Sequence, residues 1–458
     1  MSLLKTILKR LFQGTLLVLL LLASLWGISR ALYPTDAQRE AVAELERWPE
    51  YPGDNAFPLL WTLDRDVPDE ELARVLAEDV RTVTRQQAEA LATGELPGAF
   101  AFDEDLPSAA YAYPTLRPDD ADRELFCGGL EADCLQRVRD DLEAYAALVQ
   151  RHARLLDRVE RLQEFDYVRS AFPPHLSSPW PRYDLARLTQ TRNAVHFAQG
   201  RTSEAVAATC RDLLTWRRLG ARSDGLIPRM FGITIAGRDG GQLLASMLAE
   251  LPVDEPLPAP CGEALALPTE EELSLCNAMR GEFALHAELA RTGYAEPDRS
   301  LLDQWTWWLL VDPEASMGKR AEGWLTLCPA PESDEALERR LETLRNKHQS
   351  VGRLECVGNL FTCSLDALSI LPYSDYMQRV QDHGARLRAL ATLAWMRSEA
   401  GDGRTPAERL AARPAELNVP ADEMRIGPDG RTLQIQLRWT RRGETWSIPL
   451  PPVLHADP

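Results

Sequence analysis

The sequence predicts a mainly α-helical body that follows a single N-terminal transmembrane helix and ends in a small antiparallel β element. Three observations predict this fold class. One long apolar segment lies near the N-terminus, apolar residues recur at spacings of three and four through most of the chain, and alternation of apolar and polar residues appears within 411–458. Because 45% of the 458 residues are hydrophobic, we expect a layered, folded ectodomain of helical hairpins with a sizeable core.

The transmembrane prediction rests on Leu11–Ile28, eighteen residues without a formal charge. At about 1.5 Å per residue, a helix of this length covers roughly 27 Å, which is just enough to cross a bilayer. Lys5, Lys9 and Arg10 precede the segment, whereas only Arg30 closely follows it. The positive-inside rule therefore places the N-terminus in the cytoplasm and exports the body.

The same segment has an alternative interpretation as a cleavable signal peptide, with Gly27 and Ser29 as the small residues before a cut. Bulky Trp26 and Ile28 interrupt that pattern, so we expect a retained anchor. The predicted organisation is a cytoplasmic tail at 1–10, a transmembrane signal-anchor at 11–29, a membrane-proximal segment with helices and Pro-rich loops at 31–120, helical subdomains at 121–251 and 252–410, and a small β tail at 411–458.

The exported part is strongly acidic. Residues 1–30 contain four Lys or Arg and no acid, which leaves 47 basic residues against 69 acidic ones, a net charge of −22, in the body. Such a surface repels phosphate, so we expect no nucleic-acid partner and no electrostatic attachment to anionic lipid. Almost all basic residues are arginine, which we take as a sign of a GC-rich bacterial genome. The predicted location is the bacterial inner membrane, with one transmembrane pass and the body in the periplasm.

The cysteine count agrees with export, because it is even, so all cysteines can pair, and disulfides persist in the compartments to which proteins are exported. The disulfide candidates are Cys127, Cys134, Cys210, Cys261, Cys276, Cys328, Cys356 and Cys363. Cys127/Cys134 and Cys356/Cys363 share one spacing and are the local candidates, provided that the backbone turns, since an intact helix would hold residues seven apart at roughly 10 Å.

The other four cysteines supply two longer disulfides, either by pairing Cys261 with Cys276 or by pairing each of these with one of the other two. Redox exchange or metal binding needs a CxxC pattern or nearby histidines, and neither is present in the sequence. We therefore expect structural disulfides, no metal and no cofactor.

Apolar periodicity predicts helices through most of the body. They cover Asp36–Trp48, Val67–Thr93, one long helix through Leu135–Val159, a helical pair at Tyr183–Ala198 and Ser203–Leu219 that turns at Gly200, Leu226–Leu251, Leu273–Arg291 behind a capping box of Thr269 and Glu272, Asp334–His348 and Tyr373–Gly401. Alternation then predicts strands at Met424–Ile426, Thr432–Trp439 and Thr445–Ile448, with Pro449 ending the last strand.

Two pairs of residues are candidate catalytic groups. Ser316 and Lys319 form an SxxK pattern, which in penicillin-binding proteins and β-lactamases places a serine nucleophile and a lysine on one helix face. The chain has no KTG, and Ser374-Asp375-Tyr376 lacks the asparagine of the SDN element. Glu282 and His286 lie one helical turn apart and are an acid and base candidate, or a solvated pair on a helix surface.

A cluster of tryptophans is a candidate interaction surface. Trp305, Trp307 and Trp308 fall within Leu301–Val311, and Trp324 follows closely. Such residues suit contact with a membrane surface, a glycan or a protein partner, although packing in the core is the interpretation we favour.

One stretch carries Arg386-Leu387 through Ala391, Met396-Arg397, Gly401, Pro406 and Leu410 ahead of the β tail, and another carries FCxxxxxxC at Phe126–Cys134. Both stretches resemble uncharacterised membrane-anchored helical envelope proteins of Gram-negative bacteria. The resemblance implies an envelope location and a similar helical fold over most of the ectodomain, and it implies no activity.

The sequence contains no HExxH, GxSxG, Walker A or GxGxxG motif. The leading hypothesis is therefore a scaffold or accessory protein whose periplasmic body binds another cell-envelope component, with an envelope protein as the possible partner. The alternative is an envelope hydrolase that uses Ser316 with Lys319, or Glu282 with His286.

Overall fold

The computed structural model describes residues 2–93, 108–128, 134–292, 300–331, 334–348, 353–360, 363–364, 371–400, 403–419, 423–439 and 444–455. These residues form a mainly helical protein with one apolar N-terminal helix and a small C-terminal antiparallel sheet, which confirms the fold class at that level.

The α-helices follow the chain in short and medium lengths. They are α1 Ser2–Leu32, α2 Asp36–Glu46, α3 Phe57–Trp61, α4 Asp69–Thr93, α5 Asp120–Leu125, α6 Cys134–Asp140, α7 Leu142–Arg151, α8 Ala153–Glu160, α9 Thr189–Ala198, α10 Thr202–Ala221, α11 Leu226–Ile233, α12 Gly241–Glu250, α13 Ala259–Ala264, α14 Glu270–Leu273, α15 Cys276–Thr292, α16 Leu301–Leu310, α17 Pro313–Leu327, α18 Asp334–His348, α19 Leu354–Val357, α20 Leu371–Ser398 and α21 Pro406–Ala411. A π-helix, Thr234–Gly240, joins α11 to α12.

Helix α1 is long and apolar enough to cross a membrane. Its segment Lys5–Leu32 has a mean hydropathy of 2.1 in its most apolar window, and none of that window is buried against the body. A core helix of this composition would be covered by other elements. The exposed apolar surface therefore agrees with a lipid-facing segment or a signal sequence.

The predicted β tail forms a three-stranded antiparallel sheet in the order β1-β2-β3, with β1 Arg425–Ile426, β2 Thr432–Gln436 and β3 Thr445–Pro449. Leu433 pairs with Ile448 in the register of β2 and β3, and both side chains are buried. The last strand ends at Pro449 as predicted. So small a sheet needs support from other elements, and it contacts α12 and α20.

The long helix predicted through Leu135–Val159 is wrong as a single element, because the chain forms α6, α7 and α8 there. Asp141 caps the start of α7 through its side chain, which accepts a hydrogen bond from the Ala144 N–H. His152 then lies between α7 and α8 with φ −104° and ψ 19°. Apolar spacing continues across both bends, which is why the periodicity gives no sign of them.

The capping box of Thr269 and Glu272 is present, but it caps the short α14 and not a helix that runs on to Arg291. The chain leaves the helix at Ser274, and the Leu275 N–H donates to the Cys328 carbonyl at 2.8 Å. Helix α15 begins afresh at Cys276. A contact with a segment more than fifty residues away therefore ends the helix, because it takes the backbone N–H that the helix would use.

Disulfides link all eight cysteines. The predicted local pairs Cys127–Cys134 and Cys356–Cys363 are confirmed, with Cα–Cα distances of 5.4 and 5.7 Å. The longer pairs are Cys210–Cys261 and Cys276–Cys328, at 5.0 and 4.3 Å. Pairing of Cys261 with Cys276 is therefore wrong, and the other alternative, in which each bonds to a different cysteine, is confirmed.

The buried apolar residues form two clusters. The larger cluster contains residues from α3 through α13 together with the second half of α20 and the β tail. The smaller one combines α2, α15, α17 and α18 with residues from α11 and the first half of α20, and it includes Phe283 and Trp324. Helix α15, which contributes to this smaller cluster, also carries Glu282.

Candidate functional site

A cleft of about 240 Å³ opens where α15 meets the loop that follows residue 168. We call it the Glu282 cleft. Its wall contains three aromatic side chains, a histidine and two carboxyl groups, namely Trp48, Phe172, Trp180, His175, Asp224 and Glu282. Concave sites that combine apolar walls with a few convergent polar groups are typical of binding and catalytic sites.

Close packing of backbone segments brings the two carboxyl groups to one cleft. A Cβ at position 281 would lie 1.6 Å from the Asp224 carbonyl oxygen, so only glycine lets α15 approach the turn before α11. The Leu226 N–H, on the same turn, donates to Glu282 Oε1 at 3.4 Å. The turn is held from its other side, since the Asp224 N–H donates to the Val168 carbonyl at 3.1 Å.

Glu282 is an acid without a charged partner among the described residues. Its side chain is partly exposed and otherwise enclosed by protein. Burial raises the pKa of Glu282 to about 7, because the charged form loses its hydration, and the one hydrogen bond from Leu226 opposes this only in part. Such a group is poised to change protonation near neutral pH.

Asp224 is the second carboxyl group on the cleft wall, and its environment differs. Burial raises its pKa to about 6, while the Ser170 N–H, which donates to Oδ2 at 2.6 Å, and the Arg169 charge lower it. At pH 7 Asp224 is therefore ionised to a greater extent than Glu282.

The aromatic walls are held by the chain that surrounds them. The Arg169 guanidinium lies 5.1 Å from the centre of the Trp48 ring and donates to the Pro49 carbonyl at 2.8 Å. A Cβ at position 225 would lie 3.6 Å from the Trp180 ring, so the turn that carries Asp224 also backs this tryptophan. Flat rings beside carboxylates are the elements with which proteins bind cationic groups.

The structure does not join the predicted pair of Glu282 and His286 through their side chains. The His286 Nδ1 lies 2.9 Å from the Glu282 carbonyl oxygen, and its ring packs edge-on against Trp324 at 4.9 Å between centres. Burial first, and then the charge of Arg320, lowers the pKa of His286 to about 4. His286 is therefore neutral at pH 7, and the residue that shares the cleft with Glu282 is Asp224.

Ser316 and Lys319 are both buried on α17 and have different partners. The Ser316 hydroxyl donates to the Asp312 carbonyl at 2.6 Å and accepts a hydrogen bond from Asn359 Nδ2 at 2.8 Å. The Lys319 ammonium lies 3.4 Å from Glu355 Oε1 and 3.2 Å from the sulfur of Cys363. This arrangement gives the serine hydrolase prediction no geometric support, and it remains a prediction.

The tryptophan cluster divides between surface and core. Trp324 is only 3% exposed and packs against Phe283, so its assignment to an interaction surface is wrong. Trp305 and Trp308 on α16 are exposed, and Trp307 is half-buried. The core packing that we favoured from the sequence is therefore correct for Trp324 and wrong for Trp305 and Trp308.

A second cleft, of about 350 Å³, lies between the β tail and the π-helix, and no sequence pattern predicts it. Its wall includes Arg238, Asp239, Trp439 and Trp446. Arg238 pairs with Asp239 at 2.6 Å, so the charges there neutralise each other within the chain. The acids of the Glu282 cleft make no such pair among the described residues, which is why that cleft is the stronger candidate.

Sequence reasoning missed Asp224. It precedes Glu282 by 58 positions, and no spacing rule connects a turn residue to a distant helix. Across the described ranges, no group of three His, Cys, Asp or Glu side chains is placed to hold a metal ion.

No protein-family model, curated protein or solved structure matches the chain. The resemblance to Gram-negative envelope proteins thus stays a prediction. The functional argument depends on the geometry alone.

Proposed function

We propose that the chain is a single-pass protein of the bacterial inner membrane, with its N-terminus in the cytoplasm and its helical body in the periplasm. In this proposal the body, a layered set of helical hairpins, is a scaffold or accessory protein that binds another envelope protein. The exposed apolar segment of α1, which Lys5, Lys9 and Arg10 precede within the same helix, supports the anchor and its orientation. Four disulfides support an oxidising compartment for the body.

In this proposal the partner protein binds the Glu282 cleft through a cationic side chain. One observation carries this step: Glu282 is an enclosed carboxyl group on a cleft wall, and no described cation forms an ion pair with it. Arg169 lines the same cleft, but its guanidinium lies over the Trp48 ring. An enclosed carboxylate is unfavourable unless a cation or several hydrogen bonds compensate for its lost hydration. A lysine or arginine from a partner would supply that charge.

The rest of the cleft and of the body fits the same ligand. Trp180 provides a ring face, and such faces attract cations through their quadrupoles, as the Trp48 ring of the same cleft does with Arg169. A net charge of −22 on the body attracts a basic partner over distances of about 8 Å at physiological salt. Complementary charge raises the association rate and selects against acidic proteins.

The test uses the full chain in detergent and a short blocked peptide, acetyl-Ala-Arg-Ala-amide, titrated by calorimetry at pH 5.5 and pH 8. We expect saturable binding that is tighter at pH 8, because a cation binds the ionised form of Glu282. We expect Glu282→Gln to weaken binding at pH 8 and to reduce this pH dependence, and the part that remains comes from Asp224, whose pKa of about 6 also lies between the two pH values. Glu143→Gln, on the exposed face of α7, is the matched control and should bind as the wild type does. Equal binding by wild type and Glu282→Gln at both pH values would remove the basis of the proposal.

A second candidate function is an envelope hydrolase in which Glu282 is a general acid. The pKa of about 7 for Glu282 beside the pKa of about 6 for Asp224 favours it, since acid catalysis needs one protonated and one ionised group. Purified chain incubated with isolated bacterial cell-wall sacculi would release soluble sugars or peptides, and Glu282→Gln would not. No release by the wild type would leave the binding proposal alone.

A further inference from the structure

Helix α16 presents an apolar stripe to the outside of the protein. Five large side chains at positions i, i+1, i+4, i+7 and i+8 form one face, namely Leu301 (75% exposed), Leu302 (79%), Trp305 (62%), Trp308 (50%) and Leu309 (45%). The polar residues Asp303, Gln304 and Thr306 lie off this face. A contiguous apolar patch of this kind on a folded protein marks an interaction site.

The stripe adjoins the end of α1. The rings of Trp308 and Trp26 lie 4.7 Å apart between centres, and the Trp26 indole N–H donates to the Leu309 carbonyl at 2.9 Å. One helical turn further along α1, Arg30 donates to the Trp308 carbonyl at 2.6 Å and lies 3.4 Å from Asp312. The apolar stripe of α16 is thus continuous with the apolar surface of α1.

We infer that α16 is an interfacial helix that binds the outer surface of the same bilayer that α1 crosses. This inference rests on the proposed membrane anchor. At ten residues α16 is about 15 Å long, too short to span the hydrocarbon core, and its apolar stripe is the feature that interfacial helices bury at the boundary of headgroups and acyl chains.

The composition and the position of α16 favour lipid over a protein partner. Tryptophan is enriched at the membrane interface because its ring is apolar and its indole N–H is polar. Trp26 and Arg30, which α16 contacts, lie at the end of the apolar segment of α1, where a spanning helix leaves the hydrocarbon. Because the apolar stripe of α16 lies at that depth, it would contact acyl chains rather than another protein.

Attachment at two places restricts the orientation of the body. Contacts of Ser29 and Arg30 with the body already hold the end of α1, and α16 on the interface would in addition fix one side of α17 toward the membrane. Gly318 on α17 lies against α2, since a Cβ there would be 2.9 Å from the Cβ of Gln38, so α16, α17 and the start of the body move together.

The test uses the full chain in vesicles of phosphatidylethanolamine and phosphatidylglycerol at a ratio of three to one, doped with a phospholipid that carries a photoreactive acyl chain. After irradiation, peptides are mapped by mass spectrometry. We expect lipid adducts on α1 and also on 301–310, and we expect the adducts on 301–310 to be lost in the Trp305→Glu and Leu302→Glu variants while those on α1 remain. Val453→Glu, at a 58% exposed position of the β tail, is the matched control and should change nothing.

The outcomes separate the two proposals. Adducts on α1 without adducts on 301–310 overturn the interfacial helix and leave the anchor, whereas no adducts on either segment overturn both. Chemical cross-links between the 301–310 segments of two chains, in place of lipid adducts, would assign the stripe to a second copy and would also overturn the inference. Circular dichroism of the two glutamate variants checks that the body is folded, and Trp305→Ser repeats the test without an added charge.

Discussion

At the scale of single residues, Glu282 is one of the buried groups that make the stability of the body depend on pH. Burial raises the pKa of Glu282 from 4.5 to about 7. Between these values the folded chain holds a proton that the unfolded chain has released. Stability is therefore lost as the pH rises from 4.5 to 7, and the loss is complete above pH 7.

We expect Glu282→Gln to be more stable than the wild type at pH 8 and equal to it at pH 4. Glutamine keeps an oxygen for the Leu226 N–H and removes the charge. The full difference follows from about 1.4 kcal/mol for each pH unit between the two pKa values, and partial exposure of the side chain reduces it to about 2 kcal/mol. Urea denaturation at the two pH values measures it, and a difference that is the same at pH 4 and pH 8 would contradict the assignment.

The Lys319 ion pair gives a second prediction at this scale. Lys319 and Glu355 are both buried, at 3.4 Å from each other, beside the Cys356–Cys363 disulfide. Removing one partner of a buried pair leaves an uncompensated charge, whereas replacing both with apolar groups is often neutral. Lys319→Met should therefore destabilise the body by about 3 kcal/mol, and adding Glu355→Leu should restore most of that stability.

Urea denaturation of the two variants also tests whether Lys319 of the SxxK pattern has a structural role. A structural role predicts recovery in the double variant, as measured by the urea midpoint. If the double variant is as unstable as Lys319→Met, the ammonium acts through contacts other than Glu355, and the pair is not the reason for its burial.

At the scale of elements, the two longer disulfides hold helices that are distant in sequence. Cys210–Cys261 links α10 to α13 across 51 positions, whereas Cys127–Cys134 closes a loop of only seven. Loop entropy in the unfolded chain makes the longer link worth about 4 kcal/mol and the shorter about 2.4 kcal/mol.

We therefore expect Cys210→Ala with Cys261→Ala to lower the free energy of unfolding by more than Cys127→Ala with Cys134→Ala does. Thermal or urea unfolding of the two double variants gives the comparison. Equal destabilisation would mean that strain or residual structure in the unfolded chain outweighs loop length.

Comparison of the predicted and observed elements shows which of them local sequence determines. Local sequence predicts α4, whose first turn contains three acidic residues, and it predicts the β tail, whose last strand ends at Pro449. The break at Leu275 depends on a group that the local pattern does not contain, the Cys328 carbonyl.

The same limit applies to the candidate site. The residues that were noticed, Glu282 and the tryptophans, stood out by their neighbours in sequence. Asp224 joins Glu282 only because Gly281 allows two backbones to touch, and Trp308 meets Trp26 across 282 positions. Contacts of that range carry no periodicity, so a single sequence does not reveal them.

At the scale of the whole molecule, charge on either side of the apolar segment of α1 predicts the orientation of the proposed anchor. Three cations precede the apolar segment and Arg30 follows it, where it contacts Asp312 in the body. Ser29 is also buried and accepts a hydrogen bond from the Gly358 N–H at 3.0 Å. The end of α1 is thus part of the packed body, which favours a retained anchor over a cut after Ser29.

We expect a C-terminal alkaline phosphatase fusion to be active in a Gram-negative host and a fluorescent protein fusion at the same position to be dark, because the proposed topology exports the body. Lys5→Gln, Lys9→Gln and Arg10→Gln together with Ala31→Lys and Leu32→Lys reverse the charge bias, so the same fusions should exchange their signals. The intact mass of the extracted wild type should include residues 11–29. A mass that begins at Arg30, with phosphatase activity unchanged, would show that export holds and that the segment is a signal peptide, which would also release α16 from its place beside α1.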